Sequence, residues 1–292
     1  MKVLQKSPIS PDHSLEVKHL IAPYFDPSWH FHPEFQLFIV LAGTGTRFIG
    51  DSVHPFKRGD VVFTGPNLPH VWRSDQEYFV HNGGLSTEGI VVYFHEHILG
   101  EAFLKTNEAY KIRQLFAHAR RGMSFPGAIV DRIERNMWEL LEARDFNRVL
   151  LLLQLLNDLA NTDHFSLLAT AGYTNTLKDA DTRRMNDVHA YVMSNFRDKI
   201  TLQEAAAIAN MTPTSFSRYF RIHANKTFSG FVTEIRIGHA CKLLAEKKIP
   251  VSQISDESGF HTVSNFNRQF RNFTGYNPLE YRRKYAETAQ IY

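Results

Sequence analysis

The sequence contains a single cysteine, Cys241, among 292 residues. No disulfide can form within the chain, which excludes the disulfide-stapled secreted domains and favours a reducing compartment. Cys241 lies in a helix-length apolar segment, so we expect a small buried side chain there rather than a redox sensor. A thiol-based function is therefore not indicated.

Long apolar runs are also missing. The run Val149–Leu156 is apolar except for Gln154, but it is far too short to span a bilayer. The first residues, MKVLQKSPISPDHS, lack the apolar core of a signal peptide. No Gly-rich phosphate loop is present, which argues against the common nucleotide-binding classes. We expect a cytoplasmic protein that does not cross a membrane.

Charge is unevenly distributed along the chain, although the net charge is only +3. From Arg183 to the end there are 16 Lys and Arg against 9 Asp and Glu, a net charge of +7. The preceding residues hold 17 against 21, a net charge of −4. The length suggests two domains. A polyanion partner is therefore expected for the C-terminal domain only.

The C-terminal part contains an internal repeat. Phe216–Arg221 has the sequence Phe-Ser-Arg-Tyr-Phe-Arg, and Phe266–Arg271 has Phe-Asn-Arg-Gln-Phe-Arg. Aromatic and Arg residues recur at the same positions 50 residues apart. The segment between the copies, Phe228–Lys248, is long enough for one helix that would join them. We infer that one structural unit is used twice.

The second copy has the pattern of two short helices joined by a turn. Val251–Ser258 predicts a helix, and Gly259 permits the left-handed conformation of a tight turn. The next helix is predicted from about Thr262 to Phe273. Its buried stripe is predicted from spacings of four and three residues to be Phe266, Phe270 and Phe273. The pattern is typical of a helix-turn-helix.

The first copy has the same organisation. Its first helix would bury Leu202 and three alanines, namely Ala205, Ala206 and Ala209. Thr212-Pro213 predicts the start of the second helix, as a capping residue followed by Pro at the first helical position. The buried stripe of that helix is predicted to be Phe216, Tyr219 and Phe220. Aligning Ala206 with Ser255 and Met211 with Phe260 gives an offset of 49, so the second turn carries one extra residue.

Two such motifs in one chain resemble the DNA-binding domain of the AraC/XylS family of bacterial transcription regulators. The resemblance covers about 185–285 and includes the ending Gly275-Tyr276-Asn277-Pro278-Leu279-Glu280-Tyr281-Arg282. It implies a sequence-specific transcription regulator that binds double-stranded DNA, and RNA polymerase as a partner if it is an activator. An architectural DNA-binding protein is a weaker alternative, because about 160 residues precede the linker.

The resemblance also assigns DNA contacts. The predicted base contacts are Thr214, Ser217, Arg218, Val263, Ser264, Asn267 and Arg268. Arg pairs with guanine, Asn with adenine, and Val meets a thymine methyl group in the major groove. The predicted phosphate contacts are Arg221, Arg271, Arg282, Arg283 and Lys284. Phosphate contacts position a protein on DNA without selecting a sequence.

The N-terminal part has the pattern of a small β-barrel or sandwich. Short segments rich in β-branched and aromatic residues alternate with turn residues between Ser14 and about Phe94. The predicted strands are Phe35–Leu41, Thr46–Ile49, Asp60–Thr64, Val71–Arg73, Tyr78–Val80 and Ile90–Phe94. Many short strands at close spacing are typical of a barrel or sandwich.

Two clusters in this part resemble the two motifs of the cupin barrel. They are His30-Phe31-His32-Pro33-Glu34-Phe35-Gln36 with Gly43-Thr44-Gly45, and Gly59-Asp60 leading to Pro66-Asn67-Leu68-Pro69-His70. In metal cupins these motifs supply three His and one Glu, but Gln36 stands at the Glu position here. Glu34 shares a predicted strand face with the first two histidines and could take that role.

We expect no cofactor, and the metal-free interpretation is preferred because Gln36 is a weak ligand. The alternative is a metal held by His30, His32 and His70, since three imidazoles can bind Zn²⁺, Fe²⁺ or Ni²⁺. A barrel of this size can enclose one small ligand, and aromatic residues with a few polar groups would suit a sugar or related metabolite. The predicted pocket residues are Trp29, His30, His32, Gln36, Phe38, Phe48, His70 and Trp72, with Tyr93 as a further candidate.

Helical periodicity begins at about Ala102 and ends at about Leu168. One apolar stripe is predicted to comprise Ile129, Ile133, Met137, Leu140 and Leu141. A broader one is predicted to comprise Phe146, Val149, Leu150, Leu153, Leu156 and Leu159. The broad face predicts a homodimer interface, while packing inside its own domain is the alternative. Small polar residues then predict an interdomain linker.

The predicted fold class is α+β. A cupin-like sensory barrel is expected at 1–100, a helical dimerisation segment at 101–168, a linker at 169–181 and an AraC-type domain at 182–287. The helix-turn-helix motifs are expected at about 201–222 and 251–273. The predicted function is a ligand-controlled transcription regulator rather than an enzyme. The alternative is a metal-dependent cupin enzyme tethered to a DNA-binding domain.

Overall fold

The chain forms two compact units in a computed structural model that describes residues 8–10, 12–80, 84–173, 175 and 179–286. The first, here called the barrel unit, comprises residues 1–52 and 56–175. The second, the helical unit, comprises residues 176–292 together with 53–55. Two sheets with helices in the first unit and a set of helices in the second confirm the predicted α+β class.

Two antiparallel sheets form the barrel unit. The strands are β1 Leu15–Ala22, β2 Phe35–Ala42, β3 Gly45–Ile49, β4 Ser52–Phe56, β5 Val61–Thr64, β6 His70–Ser74, β7 Thr87–Phe94, β8 Met123–Ser124 and β9 Ser166–Leu167. The larger sheet has the order β1-β7-β2-β5-β8-β9, and the smaller has the order β4-β3-β6. The short strands β8 and β9, which extend this sheet beyond β5, come from a region that was predicted to be wholly helical.

Strand β2 is buried on both faces because each face packs against a different layer. Its odd-numbered side chains, such as Phe35 and Ile39, join the apolar cluster that includes the helices. Its even-numbered side chains, Phe38 and Val40, join the cluster between the two sheets. Successive side chains of a strand point to opposite faces, so one strand contributes to both cores.

Four helices complete the barrel unit: α1 Glu101–Leu104, α2 Tyr110–Ala119, α3 Ile129–Glu142 and α4 Asp145–Ala160. The predicted α3 stripe is confirmed, with Ile133, Met137 and Leu140 fully buried. On α4 the buried residues are Leu152, Leu155, Leu156 and Leu159. Phe146 and Leu150 are 70% and 50% exposed. The predicted broad stripe therefore spans a buried face and an exposed one.

Two predicted segments differ in the structure. Tyr78–Val80 is not a strand, because a local turn with Tyr78 N donating to Asp75 O begins a 3₁₀-helix over Gln76–Phe79. The predicted linker 169–181 is too long at its start. Thr170 donates from its N and Oγ1 to the Asp51 carboxylate at 2.9 and 2.6 Å, and Ala169 is buried in the barrel unit.

Seven helices are described in the helical unit. They are α5 Asp179–Asn195, α6 Leu202–Ile208, α7 Pro213–Ala224, α8 Phe228–Glu246, α9 Val251–Glu257, α10 Val263–Thr274 and α11 Pro278–Ala286. Cys241 is buried on α8, and burial raises the pKa of its thiol to about 12, as expected for a side chain that contributes packing. No helix in the described ranges is both long and apolar enough to cross a membrane.

Threonine caps define where the helices of this unit begin. The side chains of Thr212 and Thr262 accept hydrogen bonds from the backbone N–H groups of Ser215 and Asn265 at the starts of α7 and α10. Thr201 caps α6 in the same way, with Glu204 bonding back to the Thr201 N–H in a capping box. The start predicted from Thr212-Pro213 is thereby confirmed.

Gly45 provides a stability test of the barrel unit. A Cβ on Gly45 would lie 2.1 Å from the Arg73 carbonyl oxygen, whereas a Cβ on Gly172 would meet no atom within 4 Å. We expect Gly45→Ala to lower the free energy of unfolding by about 1–3 kcal/mol, since the backbone must shift, and Gly172→Ala to change it little. All three tryptophans belong to this unit, so denaturant unfolding followed by their fluorescence measures it. Equal unfolding midpoints for the two variants would contradict the close approach of Gly45 to the Arg73 carbonyl.

Candidate functional site

Each of the two helix-turn-helix motifs has an equivalent backbone hydrogen bond in its turn. In the first, Met211 N donates to Ala206 O at 2.9 Å, and in the second, Phe260 N donates to Ser255 O at 3.0 Å. These pairs lie 49 residues apart, as the sequence alignment predicted. The repeat in sequence is thus a repeat in backbone geometry.

The second turn requires glycine. Gly259 has φ +78°, and a Cβ there would lie 2.6 Å from the Phe196 carbonyl oxygen. A side chain would be strained by its backbone conformation and would also collide with the end of α5. The first turn uses Asn210, whose φ is +54°, for the same left-handed conformation.

Each second helix buries aromatic side chains on its inner face. On α7 these are Phe216, Tyr219 and Phe220, as predicted. On α10, Phe266 and Phe270 are buried, but Phe273 is 46% exposed. The prediction for Phe273 was wrong because the buried cluster beneath α10 ends at Phe270.

The opposite faces of α7 and α10 are exposed and polar. All seven residues predicted to contact bases are exposed: Thr214, Ser217, Arg218, Val263, Ser264, Asn267 and Arg268. Arg268 is further positioned by Asn265, whose Oδ1 accepts a hydrogen bond from Arg268 Nη2 at 3.0 Å. Sequence reasoning missed Asn265, although its spacing of three residues on a helix puts it beside Arg268.

The predicted phosphate contacts differ in their surroundings. Arg221, Arg271 and Arg283 are exposed. Arg282 is half-buried, and its Nη2 donates to the Ile249 carbonyl oxygen at 2.6 Å. Lys284 Nζ donates to the Tyr276 hydroxyl at 2.7 Å and lies 4.5 Å from the centre of that ring. The geometry gives Arg282 a structural contact within the helical unit.

Three histidines meet in the barrel unit. One potential ligand atom from each of His30, His32 and His70 lies within 4.8 Å of the others. His30 and His70 are joined by a backbone bridge, with His70 N donating to His30 O at 2.9 Å. Gln36 joins the cluster from β2, and its Oε1 lies 3.2 Å from His32 Nε2 and 3.1 Å from His70 Nε2.

Backbone carbonyls orient the three rings. His30 Nδ1 lies 2.7 Å from Ser28 O, and His70 Nδ1 lies 2.7 Å from Leu68 O. His32 Nδ1 lies 3.1 Å from the Glu34 backbone oxygen. A carbonyl oxygen can only accept a hydrogen bond, so each Nδ1 carries a proton. Burial, with the neighbouring His30 and His32, lowers the pKa of His70 well below its ordinary value.

Glu34 does not lie on one strand face with His30, His32 and Gln36, as the sequence had suggested. Strand β2 begins at Phe35, so His30, His32 and Glu34 precede it and do not share one strand face with Gln36. The fully buried Glu34 carboxylate lies 3.3 Å from His32 Nδ1, on the opposite side of the ring from Nε2. Glu34 therefore orients His32, and the side chain facing Nε2 is Gln36.

The other predicted pocket residues lie deeper in the barrel unit or beside the cluster. Phe38 and Trp72 pack edge to face with ring centres 4.7 Å apart. Trp29 and Phe48 form a similar pair at 6.2 Å. Tyr93 lies edge to face with His32 at 5.3 Å. Five of the predicted residues therefore lie close together, namely His30, His32, Gln36, His70 and Tyr93. Phe38 and Trp72 instead belong to the apolar core between the two sheets.

Sequence reasoning missed two further polar features. A buried ion pair joins Arg47 Nε to Asp60 Oδ2 at 3.0 Å, and Trp72 Nε1 donates to the same oxygen. An open cleft of about 400 Å³ lies elsewhere in the unit. Its lining includes His97, Arg113 and Phe116, and none of the predicted pocket residues. Nothing in the spacing of these residues along the chain marks either feature.

Comparison with known proteins finds matches to both parts of the chain. Residues 205–284 match the model of a helix-turn-helix domain, and residues 19–78 match that of a cupin domain. The chain is 28% identical over 93 residues to the uncharacterized HTH-type transcriptional regulator YobQ of Bacillus subtilis, covering 32% of this chain and 39% of that relative. It is 27% identical over 104 residues to the probable transcriptional regulator LumQ of Photobacterium leiognathi, covering 36% and 42%.

A solved structure shows a similar partial match. The crystal structure of a DNA-binding transcriptional dual regulator from Escherichia coli K-12 is 26% identical, covers 41% of this chain and 99% of that chain, and has a TM-score of 0.33. This chain spans about two fifths of the length of the two relatives named above.

The fold and the matches define a two-domain protein with a cupin domain followed by a helix-turn-helix domain. These matches confirm the predicted resemblance to an AraC-type helix-turn-helix domain and to a cupin domain.

Arg282 and Arg283 form a matched pair for testing the structural contact. Arg282→Ala removes the hydrogen bond to the Ile249 carbonyl, so we expect the helical unit to lose about 1–3 kcal/mol of stability. Arg283→Ala removes an exposed side chain, and we expect a change within about 0.5 kcal/mol. Thermal unfolding followed by far-ultraviolet circular dichroism measures both. Equal unfolding temperatures for Arg282→Ala and Arg283→Ala would contradict a structural role for the Arg282 contact with Ile249.

Proposed function

We propose that this protein is a sequence-specific transcription regulator that binds double-stranded DNA through α7 and α10. The observation that carries the proposal is the pair of equivalent helix-turn-helix motifs, each with an exposed polar face that includes an Arg. The named relatives are transcriptional regulators. The net charge of +7 in this half of the chain suits a polyanion. A location in the cytoplasm follows from the proposed partner.

Base recognition is proposed for the exposed faces of α7 and α10. Second helices of this motif enter the major groove, and two motifs on one support would contact successive turns on one face of the DNA. The guanidinium of Arg268 presents two parallel donors that match guanine O6 and N7. Its hydrogen bond to Asn265 restricts its freedom before DNA is bound. Arg218, Asn267 and Val263 would contact neighbouring bases.

Arg268 and Arg271 provide the test of base recognition. We expect Arg268→Ala to weaken binding to a cognate site by about 1–3 kcal/mol and to relax selectivity at one base pair, because a bidentate contact is lost. Arg271→Ala should weaken binding to cognate and random DNA alike, because it removes a phosphate contact. Sites are first selected from genomic fragments by the full-length protein, and affinities are then measured at fixed salt. Equal losses on cognate and random DNA for Arg268→Ala would refute the assignment.

A homodimer is proposed through the exposed face of α4. Phe146 and Leu150 are exposed on this helix, and the half-buried Leu153 lies beside them on the same face. These three apolar residues are outside the core cluster that α4 joins through its packing on α2 and α3. A second copy of the same helix would cover this face in a symmetric contact.

Leu150 and Gln76 provide the test of the dimer. Leu150→Lys places a charge in the proposed interface, so we expect the dimer to dissociate at micromolar concentration. Gln76→Lys places the same charge on an exposed position outside α4 and should leave the dimer intact. Sedimentation velocity of both variants measures the association. A monomeric wild-type protein, or a Leu150→Lys variant that stays dimeric, would exclude this interface.

The barrel unit is proposed to bind the effector that controls DNA binding. A cupin domain beside a DNA-binding domain suits a sensory role, in which the ligand favours one arrangement of the protein over another. RNA polymerase is a further proposed partner if the regulator activates transcription. The effector site is proposed at the histidine cluster, where polar side chains converge inside a mostly apolar unit.

A second candidate function is a metal-dependent cupin enzyme, favoured by the same cluster. Tyr93 lies beside His32, and burial, with the charges of Glu34 and Asp26, raises the pKa of its hydroxyl. A hydroxyl whose pKa is raised further above neutrality is poorly matched to proton transfer. The regulator is the better supported function because the two equivalent helix-turn-helix motifs and the named relatives favour it.

A further inference from the structure

The two helix-turn-helix motifs meet at a second place besides the packing of each on α8. The loop 196–198, which follows α5, lies against the turn between α9 and α10. A Cβ on Gly259 in that turn would lie 2.6 Å from the Phe196 carbonyl oxygen and 2.9 Å from Arg197 Cα. The backbone of the loop and the backbone of the second turn are therefore in direct contact.

The loop 196–198 is held by the first motif through α5. Near the start of α5, the Asp181 carbonyl oxygen accepts a hydrogen bond from the Tyr219 hydroxyl of α7 at 2.8 Å. Further along, the Tyr191 hydroxyl donates to Glu204 Oε2 of α6 at 3.1 Å. Because α5 contacts both helices of the first motif, the loop at its end is part of the support of that motif.

Arg236 of α8 connects this loop to the second turn. Its Nε donates to Phe196 O at 2.7 Å, and its Nη2 donates to Asp198 O at 2.7 Å. The guanidinium carbon lies 6.0 Å from the centre of the Phe260 ring in the second turn. Arg236 is half-buried, and both of these donors point into the protein. The geometry therefore assigns Arg236 to the contact between elements and not to a phosphate.

His239, three residues further along α8, has a similar arrangement. Arg197 Nη2 lies 3.2 Å from His239 Nε2, and His239 Nδ1 lies 3.3 Å from Ser258 Oγ at the end of α9. A guanidinium can only donate, so Nε2 accepts the hydrogen bond from Arg197. Residues three apart share one face of a helix. One face of α8 thus contacts both the loop and the second motif.

Hydrogen bonds at this place restrict the orientation of the second motif in a way that apolar packing does not. The cluster beneath α10 includes Leu243 and Leu244 of α8, and the hydrophobic effect that stabilises it is not directional. Hydrogen bonds weaken steeply as the donor turns away from the acceptor. The guanidinium of Arg236 is planar with its donors in a fixed fork, so two carbonyl partners define one orientation of the loop on α8.

We propose that Arg236 is a positioning residue for DNA recognition, which fixes the angle between α7 and α10 by holding the loop 196–198 against the second turn. The inference rests on the proposed function as a DNA-binding regulator. One base pair moves a base by about 3.4 Å along the DNA axis and by about 35° around it. A fixed angle restricts binding to sites whose two contacted segments have one spacing. Arg236 thus selects the spacing of a site and reads none of its bases.

Spacing variants of a selected site test the proposal. The site is first selected from genomic fragments by the full-length wild type, and the segment read by α10 is identified from the base at which Arg268→Ala loses selectivity. One base pair is then inserted or deleted between the two segments. A further DNA has the segment read by α10 scrambled. Affinities are measured at fixed salt, because phosphate contacts make binding salt-dependent.

We expect the wild type to bind the natural spacing at least about 10-fold more tightly than either shifted spacing, because a displaced motif loses base contacts. Arg236→Gln should reduce this preference to less than about 3-fold and should bind the scrambled DNA within about 2-fold of the wild type. A loss of stability alone would weaken binding to all of the DNAs by one factor and leave the preference unchanged.

Two further variants complete the series. Lys248→Gln removes the same charge from an exposed position just after α8 and should keep the spacing preference of the wild type. Arg236→Lys keeps the charge but lacks the fork, so its preference should fall between those of the wild type and Arg236→Gln. Circular dichroism establishes that each variant is folded. If Arg236→Gln does not fold, a spacing preference in Arg236→Lys equal to that of the wild type contradicts the proposal.

A distance measurement without DNA tests the angle itself. Ile222→Cys and Asn272→Cys place spin labels at equivalent exposed positions of α7 and α10, while the native Cys241 is buried. Pulsed electron resonance should give a narrow distribution of label distances when Arg236 is present. The distribution should broaden in Arg236→Gln, because the second motif is then held by apolar packing alone.

Two outcomes would overturn the positioning role while leaving the regulator in place. One is an undiminished spacing preference in folded Arg236→Gln, and the other is a wild-type protein that selects sites but binds every spacing equally. An unchanged distribution of label distances in Arg236→Gln would likewise exclude the role. Failure of the wild type to select any site would instead refute the proposed regulator, and the positioning role with it.

Discussion

The packing of α8 is the constraint on which the proposed DNA interface depends. Its N-terminal half packs Phe228 and Phe231 against Phe220 of the first motif. Its C-terminal half places Leu243 and Leu244 in the cluster that buries α10. A continuous helix of 19 residues is about 28 Å long, so the separation of the two motifs is set by hydrogen bonds along one rigid element. The apolar contacts at each end stabilise that arrangement.

The barrel unit imposes a different kind of constraint, in which backbone carbonyls decide the chemistry of side chains. Each histidine of the cluster meets a carbonyl at Nδ1, which fixes the direction of its Nε2 atom. His32, His70 and Gln36 are buried, and a buried polar group without a hydrogen-bond partner is costly. The side chain at position 36 is therefore important, because it contacts the Nε2 atoms of both His32 and His70.

Local patterns predicted much of the helical unit and less of the barrel unit. The turn alignment, the Thr212 cap and the aromatic stripe of α7 follow from contacts within a few residues, which periodicity captures. The burial of Phe273 was predicted incorrectly, since burial depends on where a neighbouring element ends. The prediction of a strand at Tyr78–Val80 was wrong for a related reason, because a strand also needs a neighbouring strand to pair with. Thr170 likewise joins the barrel unit only through the distant Asp51.

The sequence by itself determined the two classes of domain, the duplication of the helix-turn-helix and the identity of the three histidines. Each of these follows from residue types that recur at short spacings along the chain. Only the tertiary structure decided that Gln36 rather than Glu34 faces the ring nitrogens, and that Arg282 contacts the Ile249 carbonyl. Both outcomes depend on the direction of a side chain from its backbone. That direction is set by where β2 begins and where α11 packs, which spacing along the chain does not specify.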